Sequence, residues 1–249
     1  MTHAHIELPD HESVTAPSER IRVSVREIRE TAYRALYAAG ASAGEADCAA
    51  GVVTAMQVHA GTGIAALLRQ ISAIDPARLR VPIDVTADTV VVLKDPAQRE
   101  QVLIGPPAVD FAVAAARHVL IPHLTGHEVL DWYALDAAVR LQATIWVAAV
   151  DETGHCVSAT VLTPEGEMHC PAALPEPLKS DIGAQCKRVG GAVAVFSGQF
   201  VGMRPVHTAT ELAHRYRQAV DRGTYIDAET WSRAYVLGRR FLIPEESHD

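Results

Sequence analysis

The 249-residue chain is 49% apolar and 21% charged, and 30 acidic against 22 basic residues give a net charge of −8. That is the composition of a soluble globular protein with a sizeable core, and it excludes a disordered chain. An acidic chain with no basic run offers no electrostatic footprint for nucleic acid or an anionic membrane, and no apolar run approaches the roughly 18 residues of a membrane span.

Residues 1–20 are polar and acidic, lack the apolar centre of a secretory signal, and read as a solvated tail; the expected compartment is the cytoplasm. The first helix is expected over 23–40. Ser24 and Glu27 form a capping box, Ile28, Ala32 and Leu36 recur at helical spacing, and Gly40 is placed to end it. A second box, Ser42 with Glu45, opens an alanine-rich helix over 43–59, whose small side chains allow close helix packing. After "HAGTG" a third helix is expected over 64–74, stopping before Asp75 and Pro76. "DTVVVLKD" is a short β-branched strand. In "VLIGPPAVDFAVAAARHV" a helix is expected from Pro107, with proline in its first turn. Three strands follow, over 143–150, 156–162 and 167–170. "PAALPEPLKSDIGAQCKRVGG" reads as an irregular, proline-punctuated connection, and "GAVAVFSG" as a strand. Helices are expected over 208–222 and 228–240. Helical ends around a strand-rich middle imply one mixed α/β domain over 21–249. Residues 21–120 and 207–249 form its helical layer, and 121–206 its central sheet-rich part.

The four cysteines, Cys48, Cys156, Cys170 and Cys186, include no CxxC pair and read as free thiols. His155 with Cys156, and His169 with Cys170, suggest a repeated metal-ligand pair. Hairpin geometry opposes this. If 164–166 form the loop, Thr163 pairs with Glu167 and Cys170 sits opposite Thr160, roughly 13 Å from Cys156. No dinucleotide or P-loop glycine motif is present. Gly61, Thr62 and Gly63 precede a helix, so their amides are either an anion site or a helix–helix turn. His123 and His127 lie four apart, but a zinc site would need Glu128 or Asp131 to turn inward as well, and no metal is expected. His127, at a loop-to-helix junction, is the candidate for proton transfer near neutral pH.

Two segments carry a resemblance. "VSVREIRETAYRALYAAGASAGEADCAAGVVTAMQVHAGTGIAALLRQI" and "GPPAVDFAVAAARHVLIPHLTGHEVLDWYALDAAVRLQATIWVAAVDE" resemble the malate/L-lactate dehydrogenase-like NAD(P)-dependent oxidoreductases that lack a Rossmann domain. The resemblance implies that fold, an NAD(P)H cofactor and a small-molecule substrate. It places the family's catalytic histidine on His127, a substrate-carboxylate contact on Arg69, and Gly61, Thr62 and Gly63 near substrate or cofactor. Thr62 replaces a motif histidine, and Ala66 the first of two arginines. The segments "VSVREI…AGASAGEAD", "IGPPAVDFA" and "GTYIDAETWSRAYVLGRRFLIPEES" also resemble an uncharacterised bacterial family of unknown function. The implied activities are reduction of a 2-oxo acid or imine with His127 as proton donor, or a ligand-binding or accessory role on a fold that lost redox chemistry. Alanine-rich helices make a homodimer plausible.

Overall fold

A computed structural model describes residues 19–86, 90–175 and 178–242. All but the last two residues of the expected tail at 1–20, and residues 243–249, lie outside the described residues. The chain begins with β1 (Arg20–Val23), α1 (Val25–Ala38), α2 (Ala43–Ala60) and α3 (Gly63–Ser72). β2 (Asp84–Val85), β3 (Val90–Lys94), α4 (Gln101–Ala114), β4 (His118–Ile121) and α5 (Leu130–Leu141) follow. The second half runs β5 (Ile145–Val150), β6 (Cys156–Leu162), β7 (Met168–His169), α6 (Leu178–Val189) and β8 (Ala192–Ser197). It closes with α7 (Ala209–Arg222), β9 (Thr224–Asp227) and α8 (Ala228–Arg239).

Seven strands form a mixed sheet in the order β2-β3-β4-β8-β5-β6-β7. Only β3 and β4 run parallel; the other neighbours are antiparallel. Both faces are covered, so the central strands are apolar on both sides rather than alternating. All six residues of β5 are buried. Ile145, Val147, Val193 and Val195 point into a core shared with the helical layer. Trp146, Ala148, Ala194 and Phe196 point the other way, into a core with Ile182 and Cys186 of α6. A second, two-stranded sheet of β1 and β9 joins the ends of the chain, with Arg20 opposite Asp227. The helical ends pack together there: a Cβ on Gly238 of α8 would stand only 3.3 Å from the Thr31 carbonyl of α1. The fold is therefore mixed α/β, with packed helical termini around a central mixed sheet.

Three expectations need correction. The helix expected from Pro107 begins at Gln101, with Pro106 and Pro107 inside it. Two interior prolines forfeit ladder bonds, but burial of Val102, Leu103, Ile104, Ala108 and Val109 overrides that local cost. The proline-punctuated connection contains α6, which runs over twelve residues. The prolines lie ahead of it, and burial of Ile182 and Cys186 against the sheet fixes it. The strand expected over 167–170 is confined to Met168–His169. The hairpin register is as expected: the Thr163 amide donates to the Glu167 carbonyl, and Val161 pairs with His169.

Buried amide side chains lock the helical layer in sequence. Gln57 of α2 accepts from the Ile64 amide in the first turn of α3. Gln70 of α3 accepts from the Val102 amide of α4. Gln101 of α4 accepts from the Val129 and Leu130 amides at the start of α5. Each helix thus satisfies orphan N–H groups of the next, and leaving such a buried amide unpaired costs about 1–3 kcal/mol. The last link sets the entry of α5, on which the candidate site depends.

Candidate functional site

His127 lies in the loop between β4 and α5. The loop is anchored at His123, whose Nε2 meets the Arg99 carbonyl at 2.7 Å. Arg99 is itself held by Asp95 and by the carbonyls of Leu79 and Val81. His123 is therefore a structural anchor rather than a chemical group. Four residues past His127, Asp131 falls in the first turn of α5, and its amide donates back to the His127 carbonyl at 3.0 Å. This local turn aims both side chains at one face of β6.

There they meet each other and two further groups. His127 Nδ1 is 2.8 Å from Asp131 Oδ1. His127 Nε2 is 2.9 Å from Ser158 Oγ. Thr160 Oγ1 donates to the other Asp131 oxygen at 3.0 Å. Ser158 and Thr160 alternate along β6, so both face α5. His127 is 6% exposed and Asp131 8% exposed, while Ser158 is open to solvent. A neutral imidazole here donates Nδ1–H to Asp131 and accepts the Ser158 hydroxyl proton at Nε2. Once protonated, it donates from both nitrogens.

The electrostatics follow from this packing. Burial works against the imidazolium, but the Asp131 hydrogen bond and charge, with Glu128 behind them, outweigh it and hold His127 above its ordinary value. Burial pushes the Asp131 carboxyl up, against the pull of the bonds from His127 and Thr160. Both groups are therefore shifted toward their protonated forms, and the exposed end of the pair is at Ser158. Cys170, opposite Thr160 in the hairpin, borders Asp131, and burial pushes its thiol up. Among the described residues, no group of three or more His, Cys, Asp or Glu side chains is arranged to hold a metal ion.

The other candidates lie apart from this centre. Arg69 is exposed on α3, and its guanidinium makes no ion pair among the described residues. Ala66 is 1% exposed, so the position of the missing arginine faces the core. Gly61 ends α2 in the left-handed region, with its amide bonded to the Gln57 carbonyl. A Cβ on Gly63 would stand 2.1 Å from the Val53 carbonyl, so glycine there permits the close crossing of α2 and α3. Thr62 is exposed and caps α3 without a side-chain bond. The four cysteines are free thiols, separate from one another. Sequence reasoning had weighed Asp131 only as a metal ligand and missed Ser158 and Thr160. The usable signal was the four-residue spacing of His127 and Asp131 across a helix start, with two hydroxyls at period two on a later strand.

A groove of about 1000 Å³ lies between α1, α2, α5 and α7. Trp132 and His59 stack across it with ring centroids 5.3 Å apart. Tyr133, Cys48 and Arg217 also line it, but neither His127 nor Ser158 does. The Tyr133 hydroxyl donates to Asp110 at 2.7 Å, and Arg140 bonds both. His59 Nδ1 is buried without a partner. Burial, then the charges of Arg215 and His207, push the His59 imidazole down to about 4.

No family model matches the chain, and no curated protein matches it in sequence. Solved structures do match in shape. Malate dehydrogenase from Entamoeba histolytica superposes with a TM-score of 0.62 at 10% identity, covering 91% of this chain and 99% of that one. Malate dehydrogenase from Pyrococcus horikoshii gives 0.62 at 10% identity, covering 91% and 98%. Sulfolactate dehydrogenase from Methanocaldococcus jannaschii gives 0.58 at 9% identity, covering 90% and 98%. The chain has a malate/lactate dehydrogenase-like fold, and identity this low carries the fold and nothing finer. Among the described residues, no helix is long and apolar enough to cross a membrane.

Proposed function

We propose that the protein is a divergent small-molecule reductase that acts on a 2-oxo acid or an imine, with His127 as proton donor and NAD(P)H as reductant. The observation that supports this most is the buried pair of His127 and Asp131, with its exposed outlet at Ser158. A general acid must be protonated near its working pH and within reach of the reacting atom. Asp131 holds His127 above its ordinary value, and Ser158 carries the hydrogen bond to the surface.

The groove suits a nucleotide: it has the volume of a cofactor site, a ring stack in Trp132 and His59, the cation of Arg217, and an unpartnered nitrogen on His59. Bound there, NAD(P)H would supply the hydride. Arg69 would contact a substrate carboxylate, and Gly61, Thr62 and Gly63 would border substrate or cofactor.

One observation favours a second reading. The groove faces a different side of α5 from the pair of His127 and Asp131. A ligand-binding or accessory protein that kept the fold and lost redox chemistry would show this separation. The two readings part on titration with NADH and NADPH, followed by thermal shift. The reductase should gain about 3 kcal/mol at a hundredfold excess over the dissociation constant, and His127→Ala should abolish turnover on any substrate found. No shift with either nucleotide removes the reductase reading. A shift without any turnover leaves the binding role.

A further inference from the structure

Ser158 goes beyond a proton outlet. We infer that Ser158, His127 and Asp131 form a nucleophile, base and orienter, and that this site catalyses acyl transfer to water from small uncharged carboxylic esters. A proton donor needs no hydroxyl on its delivering nitrogen. A serine nucleophile needs this one: Oγ within hydrogen-bond reach of Nε2, and Nδ1 oriented by a carboxylate. The two distances, 2.9 Å and 2.8 Å, meet that requirement. Thr160 fixes the far oxygen of Asp131, as a buried orienting carboxylate requires.

The strand supplies access. β7 pairs with β6 only at Val161 and Leu162, so its ladder stops short of the exposed Ser158, while Cys170 and Leu174 beyond it stay beside Thr160 and Cys156. A β-bulge where β5 passes Val150 and β6 passes Cys156 re-aims the strand next to Ser158. The Thr163 amide faces β7. By the two-residue alternation of the ladder, the Ala159 amide faces the same side of β6, past the end of β7. That amide, adjacent to the nucleophile, is the donor available to an oxyanion. The exposed Glu128 carboxylate beside His127 favours uncharged esters over anionic ones, whereas the 2-oxo acid of the reductase reading would have its charge offset by Arg69.

The chemistry balances without a cofactor. Ser158 Oγ attacks the acyl carbon as its proton passes to His127 Nε2. The ester C–O bond breaks, and the leaving alkoxide takes that proton to depart as an alcohol. Water then attacks the acyl-serine, giving its proton to Nε2. The acid leaves, and Ser158 recovers its proton. Ser158 and His127 are the catalytic residues, and Asp131 and Thr160 position them.

The test uses the full chain without nicotinamide. Wild-type protein is treated with a fluorophosphonate and, separately, with p-nitrophenyl acetate. One adduct on Ser158 by peptide mass spectrometry is expected, with a p-nitrophenolate burst. Ser158→Ala should lose both, and His127→Gln should slow labelling at least a hundredfold while circular dichroism confirms folding. A folded wild type that is not labelled, or equal labelling of Ser158→Ala, overturns the inference. Should His127→Gln fail to fold, the Ser158→Ala comparison decides alone. Labelling that fails while a nucleotide still shifts the melting point overturns acyl transfer and leaves the reductase reading intact. Labelling without any nucleotide shift does the reverse.

Discussion

His127 and His59 both lie against α5, at Asp131 and Trp132, and are displaced in opposite directions. His127 is the more deeply packed, yet it holds its proton above the ordinary value, because Asp131 faces it from the same helix start. His59 is less enclosed, yet it is driven down to about 4, because burial, then the charges of Arg215 and His207, act on it and its Nδ1 has no partner. Depth of burial alone therefore does not set the charge state. A single carboxylate in hydrogen-bond reach reverses the sign. His127 is prepared to donate or receive a proton, whereas His59 is prepared to stay neutral against a ring.

The strongest way to break this contrast is Asp131→Asn. Burial is then opposed only by the Glu128 charge and the Ser158 backbone, and the titration of His127, followed by proton NMR, should fall toward the range of His59. Removing one partner of a buried pair costs about 3 kcal/mol in urea unfolding. The sign follows from linkage: a raised histidine stabilises fully below its unfolded value, and that stability is lost as pH rises through the folded one. The gap between wild type and variant should therefore be widest below pH 6.5 and narrow above the folded value. A His127 that still titrates high in Asp131→Asn would place the cause elsewhere. Next in size is Gln101→Leu, which leaves the Val129 and Leu130 amides unpaired. A loss of about 1–3 kcal/mol is expected, together with slower Ser158 labelling, because the same cap sets the entry of α5. A loss of stability with labelling unchanged would show that the cap does not position the site.

These residues also mark where sequence reading stopped. Capping boxes at Ser24 and Ser42 were legible, because donor and acceptor lie three residues apart. The hairpin that sets Cys170 against Thr160 was legible from its turn. His127 was singled out for its junction and its resemblance. What joins it to Ser158 is 31 residues of chain and the packing of α5 on β6, which no local pattern encodes. The glutamine caps were hidden for the same reason: Gln70 and Gln101 serve amides 32 and 28 residues away. β1 and β9 are short strands from opposite ends of the chain that exist only as a pair.

His59→Phe tests the other half of the contrast. An imidazole lowered to about 4 in the fold and ordinary at 6.5 when unfolded makes the unfolded chain bind the proton first. Stability is therefore lost as pH falls from 6.5 toward 4. Discounted for partial exposure, the effect is about 1–2 kcal/mol at the acid end. Phenylalanine keeps the stack on Trp132 and carries no proton, so its acid limb should be flatter by that amount. An unchanged limb would mean that another group drives the acid loss.

The smallest effect on stability belongs to the residue with the largest chemical assignment. Ser158 is exposed, and its contribution to the His127 shift comes from its backbone, which alanine keeps, and ranks below those of Asp131 and Glu128. Ser158→Ala should change unfolding by no more than about 0.5 kcal/mol, and His127 should still titrate above 6.5. That combination separates chemistry from scaffold: the pair of His127 and Asp131 survives intact while the attackable oxygen is gone. If His127 instead dropped toward the value of His59, the hydroxyl would be an electrostatic support of the imidazolium. The opposition between the two histidines would then rest on Ser158 as much as on Asp131.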